Sequence, residues 1–206
     1  MKGVRCLIVL AVLTLLTACA TVPDNAYYPD PTAPETRVLA QALYRAARAA
    51  SEDPKRYSFA MLRTAEVRAY TADEATFYFT QGLALERPTM IDALVAHEIA
   101  HVLLDHVGRR RPLAAAASGG LSVLDFFTNS LVVRAYTRDQ EIEADQRAVE
   151  VLRDMGYMTP RRALAQALRD AAARNDTADG RPATTDADLR DRLAALEPLE
   201  PVSRTR

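Results

Sequence analysis

Residues 97–101 read His97-Glu98-Ile99-Ala100-His101, and forty residues after the second histidine the chain offers Glu141-Ile142-Glu143-Ala144-Asp145. On a helix turning about 100° per residue, His97 and His101 stand about 40° apart on one face. Two imidazoles one turn apart can bring a nitrogen each to a single ion, and neutral imidazole is a ready ligand for zinc. Glu98 lies about 60° further round on the same side. It can approach a water at the metal without entering the coordination shell, and accept its proton as the water attacks a polarised carbonyl. Val95, Ile99, Val102 and Leu103 occupy the other faces, so the helix suits burial inside a domain. The pattern is that of a hydrolytic zinc site on a core helix.

The third ligand is not on this helix. Pro88-Thr89-Met90-Ile91-Asp92 predicts its start, with Thr89 and Asp92 spaced as a capping box, and Gly108 its stop after about Val107. Continued that far, the helix turns His106 about 180° from His97, which predicts a structural or surface role for the last of the three histidines. In the second string, Glu141 and Asp145 are four residues apart and share a helix face. One could bind the ion while the other accepts a hydrogen bond from a ligand histidine. A charged helix surface with ordinary ion pairs would read the same way. Glu143 lies about 200° from Glu141 and is expected in solvent.

At the N-terminus Lys2 and Arg5 precede an apolar run, Cys6 to Ala18, too short for a permanent span. It passes through Leu16-Thr17-Ala18 into Cys19, which resembles the bacterial lipobox. The resemblance implies cleavage before Cys19 and a lipid on its thiol, a tether instead of a span. Ala20, where inner-membrane retention would call for Asp, implies the outer membrane. An ordinary signal peptide cut near Ala18 or Ala20 is the alternative. With Cys6 removed and Cys19 acylated, no thiol is left for a disulfide or a metal. The remainder of the 206 residues suffices for one good domain. A net charge of −1 gives no footprint for nucleic acid, and the absence of Trp leaves no aromatic stacking platform.

Residues 20–34 hold four prolines and read as a spacer. Helical spacing of Val38, Leu39, Ala42, Leu43 and Ala46 predicts a first helix over 35–51. A strand or two is expected within 57–70, and 75–80 (Ala-Thr-Phe-Tyr-Phe-Thr) is the best strand in the chain. Residues 121–133 are apolar but short and carry Asp125 and Asn129, which predicts a buried helix, a lid or a membrane contact. Further helices are expected over 137–155, 160–173 and 186–196, with a polar loop over 175–185.

The segment His97-Glu98-Ile99-Ala100-His101-Val102-Leu103-Leu104-Asp105-His106, followed by Arg138-Asp139-Gln140-Glu141-Ile142-Glu143-Ala144-Asp145, resembles the gluzincin family of CAAX prenyl proteases and HtpX-type heat-shock proteases. Its periplasmic lipoprotein members are the most similar. Phe77-Tyr78-Phe79-Thr80-Gln81-Gly82-Leu83 resembles the family's strand and Gly-Leu turn before the catalytic helix. The resemblance covers roughly residues 57–196 and implies Glu141 as third zinc ligand, Asp145 as the acceptor behind a ligand histidine, and one Zn2+ per chain. The implied architecture is an α+β, mainly helical zincin-like domain with a small sheet beside the HExxH helix. Expected boundaries are a signal peptide over 1–18, lipidated Cys19 and spacer over 19–34, the metallopeptidase domain over 35–198 and a disordered tail over 199–206. The family's Asn-Ala before the strand is replaced by Glu66-Val67, and its His-Pro near the end by Arg181-Pro182. A donor for transition-state charge is therefore sought in Tyr136, Arg138, Tyr157 or Arg192.

The function expected is a zinc endopeptidase tethered through Cys19 to the outer membrane, facing the periplasm, with Glu98 as the base. Its substrates would be unfolded or misassembled envelope proteins, held by main-chain pairing to a strand edge, for which Thr76 to Thr80 is the candidate. The alternatives are a silent lipoprotein that binds an envelope assembly partner, and a zinc hydrolase of cell-wall peptides. Intact Glu98 speaks against the former.

Overall fold

The structure is a computed structural model and describes residues 25–72, 75–109, 136–179 and 186–201. In chain order its elements are β1 (Ala26–Tyr27), α1 (Pro34–Ala49), a 3-10 turn (Pro54–Arg56), β2 (Ser58–Leu62), β3 (Ala69–Thr71), β4 (Thr76–Thr80), α2 (Gln81–Ala84), α3 (Pro88–Leu103), α4 (Arg138–Asp154), α5 (Pro160–Asp179) and α6 (Asp186–Ala195). A mainly helical α+β domain with a small sheet results, as expected.

Helix α3 is the axis of the fold. Every residue from Met90 to His101 is buried, because α1, α4, α5 and β3 all pack on it. Such a helix must be apolar all round apart from groups with a partner. Small side chains make the close approach possible: Ala42 and Ala46 of α1, Ala93, Ala96 and Ala100 of α3, and Ala144 and Ala148 of α4 are fully buried. Leu39, Leu43, Leu152 and Leu164 fill the space between them.

The sheet has the order β1-β2-β4-β3. Strand β4 lies in its middle, parallel to β2 and antiparallel to β3. Its alternate residues Phe77 and Phe79 turn into the core and stack with ring centroids 6.1 Å apart. The edge expected at Thr76 to Thr80 is thus a central strand, and the edge next to α3 is β3. Pairing of strands distant in sequence is what local pattern cannot reveal.

Several boundaries move. Part of the predicted spacer joins the sheet, since Ala26 and Tyr27 pair with Leu62 and Met61. Helix α3 ends at Leu103, short of Val107, because Asp105 takes the left-handed conformation at φ 51°. Asp tolerates that region better than most residues, and helix resumes at 106–109. The Thr89–Asp92 capping box does not form: Arg87 is the N-cap without a side-chain bond. Helix α5 runs beyond Ala173 to Asp179. Its Asn175 holds the backbone N–H and carbonyl of Val67 at 2.8 and 3.3 Å, which offsets the weak helix propensity of Asn. The start of the expected disordered tail is tied down, as the Glu200 carboxylate accepts the Arg161 and Arg162 N–H groups at 3.0 Å each. Residues 121–133, Cys19 and the signal segment lie outside the described residues. Among those described, no helix is long and apolar enough to cross a membrane.

Asp92 anchors the buried helix instead of capping it. Its carboxylate takes the Arg45 guanidinium of α1 and, at 2.8 Å, the Tyr157 hydroxyl beyond α4. Asp92→Ala removes the buried acceptor that these two part-exposed donors share. Urea unfolding should register a loss of about 2–3 kcal/mol; a loss within about 0.5 kcal/mol would show that the cluster carries no net stability.

Candidate metal centre

Three donor atoms converge where α3 meets α4. Nε2 of His97 lies 3.0 Å from Nε2 of His101 and 3.2 Å from Oε2 of Glu141. Nε2 of His101 lies 3.7 Å from Oε1 of Glu141. A tetrahedral ion with bonds of about 2.0–2.1 Å would hold its donors about 3.3 Å apart, and the three separations bracket that spacing. Two imidazole nitrogens and one carboxylate oxygen are also the donor chemistry of a zinc site with an open position. These three residues could hold a metal ion.

The local sequence explains the convergence. Four-residue spacing puts both imidazoles on one face of α3. Helix α4 starts at a capping box in which Thr137 and Gln140 satisfy each other's backbone N–H groups. That cap sets the first turn, so Glu141 and, one turn on, Asp145 project toward α3. Oδ1 of the fully buried Asp145 reaches 2.9 Å from Nδ1 of His97. An acceptor at Nδ1 leaves the Nε2 lone pair free for an ion.

Arg192, from α6, closes the cluster. It grips Asp145 with Nε and Nη2 at 2.7 and 2.8 Å, and its Nη1 lies 3.0 Å from Oε2 of Glu141. This planar fork suits two carboxylates that burial alone would disfavour. Of the four donors considered for transition-state charge, it is the one that contacts a candidate ligand carboxylate. Tyr136 instead stacks on His101 with ring centroids 3.7 Å apart at 14°. Arg138 pairs with Asp191 at the surface, and Tyr157 with Asp92.

Glu98 is buried on the sheet side. The Thr71 hydroxyl of β3 donates to its Oε2 at 2.6 Å and lies 3.1 Å from its backbone carbonyl. Nothing in the sequence singled out Thr71, because the contact depends on β3 lying against α3. His106 takes the structural role expected of it, but does not point away from the site as continuous helix would have it. The early end of α3 swings it back, fully buried, so that its Nδ1 is 2.9 Å from Nδ1 of His101. Glu143, expected in solvent, is half exposed with Oε2 3.1 Å from Nε2 of His106.

The clustered groups shift one another's proton affinities. Burial disfavours a charged His97, but the bonds to Asp145 and Glu141 outweigh it and raise its pKa to about 10. Burial, reinforced by the charge on His97, drives His101 down to about 2. Burial also acts to raise Glu141, yet its bond to His97 and the nearby Arg192 hold it at about 2. Burial pushes Glu98 up to about 7, against the pull of His97 and Thr71.

The family model described as Peptidase family M48 matches residues 33–200. A search of curated proteins returns no match.

Burial of Glu98 gives the metal-free protein a testable pH signature. An acid whose folded pKa is raised binds more protons folded than unfolded, so its burial costs stability as pH climbs from its unfolded value toward about 7. Metal-free Glu98→Gln escapes that loss. Its melting temperature should gain on the parent's between pH 5 and pH 8, by a few degrees. A constant difference across that window would place Glu98 in a more solvated setting.

Proposed function

The chain belongs to peptidase family M48 and is thereby a zinc metalloprotease, and from that premise we propose which residues perform the hydrolysis and on what. His97, His101 and Glu141 hold the zinc. The observation that carries this is the meeting of their donor atoms within 4.8 Å of one another, next to a buried Glu98. Zinc held there would polarise the scissile carbonyl and make a water nucleophilic near neutral pH.

The remaining chemistry falls to side chains. Glu98 accepts the proton of the attacking water and returns it to the departing amine. The Thr71 hydroxyl holds Oε2 of Glu98, which leaves Oε1 for that exchange and fixes its direction. Asp145 keeps His97 in the tautomer that presents Nε2. Arg192 neutralises Asp145 and restrains Glu141, so that the ligand carboxylate cannot swing away.

The substrate is an extended chain paired to β3. Among the described residues β3 has a strand neighbour on one side only. Arg68 and Ala72 bond toward β4, so the main-chain groups of Ala69 and Thr71 between them point to the open side. A peptide laid there would pass the residue that holds Glu98. Main-chain pairing reads backbone and not sequence, which favours unfolded or misassembled polypeptides. The lipobox-like run into Cys19 supports a lipid tether on the outer membrane facing the periplasm, and hence envelope proteins as the natural substrates.

The mature chain should carry one zinc, as should Glu98→Gln, with cleavage of unfolded casein lowered in the variant by about 10²–10⁴-fold. Zinc in both with equal cleavage would remove Glu98 from the chemistry. For the tether, Cys19→Ser should abolish incorporation of labelled palmitate and release the protein from the membrane fraction; persistent labelling would refute it.

A further inference from the structure

The third histidine takes no part in the mechanism above, yet it is fully buried against a zinc ligand. Both its ring nitrogens are engaged: Nδ1 with Nδ1 of His101 at 2.9 Å and Nε2 with the Glu143 carboxylate at 3.1 Å. Arg109 lies 3.7 Å from the same Glu143 oxygen and donates to the Leu104 carbonyl at 2.7 Å. That bond bridges the left-handed turn at Asp105, which carries the chain from the end of α3 to His106.

Proton counting gives this chain a direction. A neutral imidazole has one N–H and one lone pair. For His101 to offer Nε2 to an ion, its N–H must sit on Nδ1. His106 faces it there and must present a lone pair at its own Nδ1. The N–H of His106 is then on Nε2, and it meets a carboxylate that can only accept. Every contact is satisfied in this order. In the reverse order Glu143 would lose its donor, and His101 would carry its proton on Nε2, where no ligand bond could form.

We propose that His106 and Glu143 form a relay that locks His101 in the metal-binding tautomer, with His106 a positioning residue and Glu143 setting the direction of its hydrogen bonds. The inference rests on His101 being a zinc ligand. The two histidines of α3 are then supported differently. A carboxylate backs His97 directly, whereas His101 reaches one through a second imidazole. The geometry explains why: α3 ends two residues after His101, so the supporting group arrives by a turn. Tyr136, stacked on His101, holds the ring's plane but offers its nitrogens no partner through that face.

The test compares zinc affinity, by competition with a chromogenic chelator, in the mature parent chain, His106→Phe and His106→Asn. Phe keeps a buried ring without nitrogens, while the Asn amide oxygen can take the place of Nδ1 as acceptor. His106→Phe should bind zinc about 10–100-fold more weakly, and His106→Asn should recover most of that loss. Long-range proton–nitrogen spectra of the zinc-loaded parent should show His106 protonated on Nε2 and His101 on Nδ1. Equal affinities in all three proteins would overturn the relay. So would equal losses in Phe and Asn, which mark a mere packing role, or a His106 proton on Nδ1. If Phe fails to fold, the Asn variant and the spectra still decide. A parent that binds no zinc would refute the metal site itself, and is told apart because the failure precedes any substitution.

Discussion

Two imidazole nitrogens that face each other at 3.0 Å inside a protein, with a carboxylate oxygen at 3.2 Å, are polar groups held together out of reach of bulk water. Their lone pairs converge on one point, and only a proton or a metal ion can satisfy them together. A divalent cation held there would engage all three donors at once. The surrounding structure is understood as what keeps these three atoms from relaxing apart.

Each of the three candidate donors is restrained from behind by an element of different origin. Asp145 of α4 stands behind His97, and Arg192 of α6 bridges Asp145 to Glu141. Tyr136 lies on the face of His101, and His106 meets its edge. The packing that makes this possible is the stripe of alanines along α1, α3 and α4, which brings helix axes close enough for short side chains to meet. Arg45 and Tyr157 fasten α3 one turn before its first histidine through Asp92. Shape and charge therefore support each other: the helix can be buried because its polar groups have partners, and the partners are held because the helix is buried.

How much of this could be read from the chain depends on whether a feature is local. The four-residue spacings of His97 with His101 and of Glu141 with Asp145 are helical facts, so the ligand faces were legible. The pairing of those two helices was not implied by spacing and came from resemblance to a family. The alternation in Thr76 to Thr80 marked a strand, but its central place in the sheet arises from pairing with residues on both sides in space. Arg192, 47 residues from Asp145, could be named only as one cation among several. The role of His106 was hidden by a single left-handed residue, Asp105, without which the helix would carry it to the far side.

Anomalous diffraction at the zinc edge, on crystals of the zinc-loaded mature chain, would locate the ion against its donors. One strong peak is expected about 2.0–2.2 Å from Nε2 of His97, Nε2 of His101 and a carboxylate oxygen of Glu141, with a fourth position open. A peak that excludes Glu141, or one held by another set of side chains, would contradict that assignment.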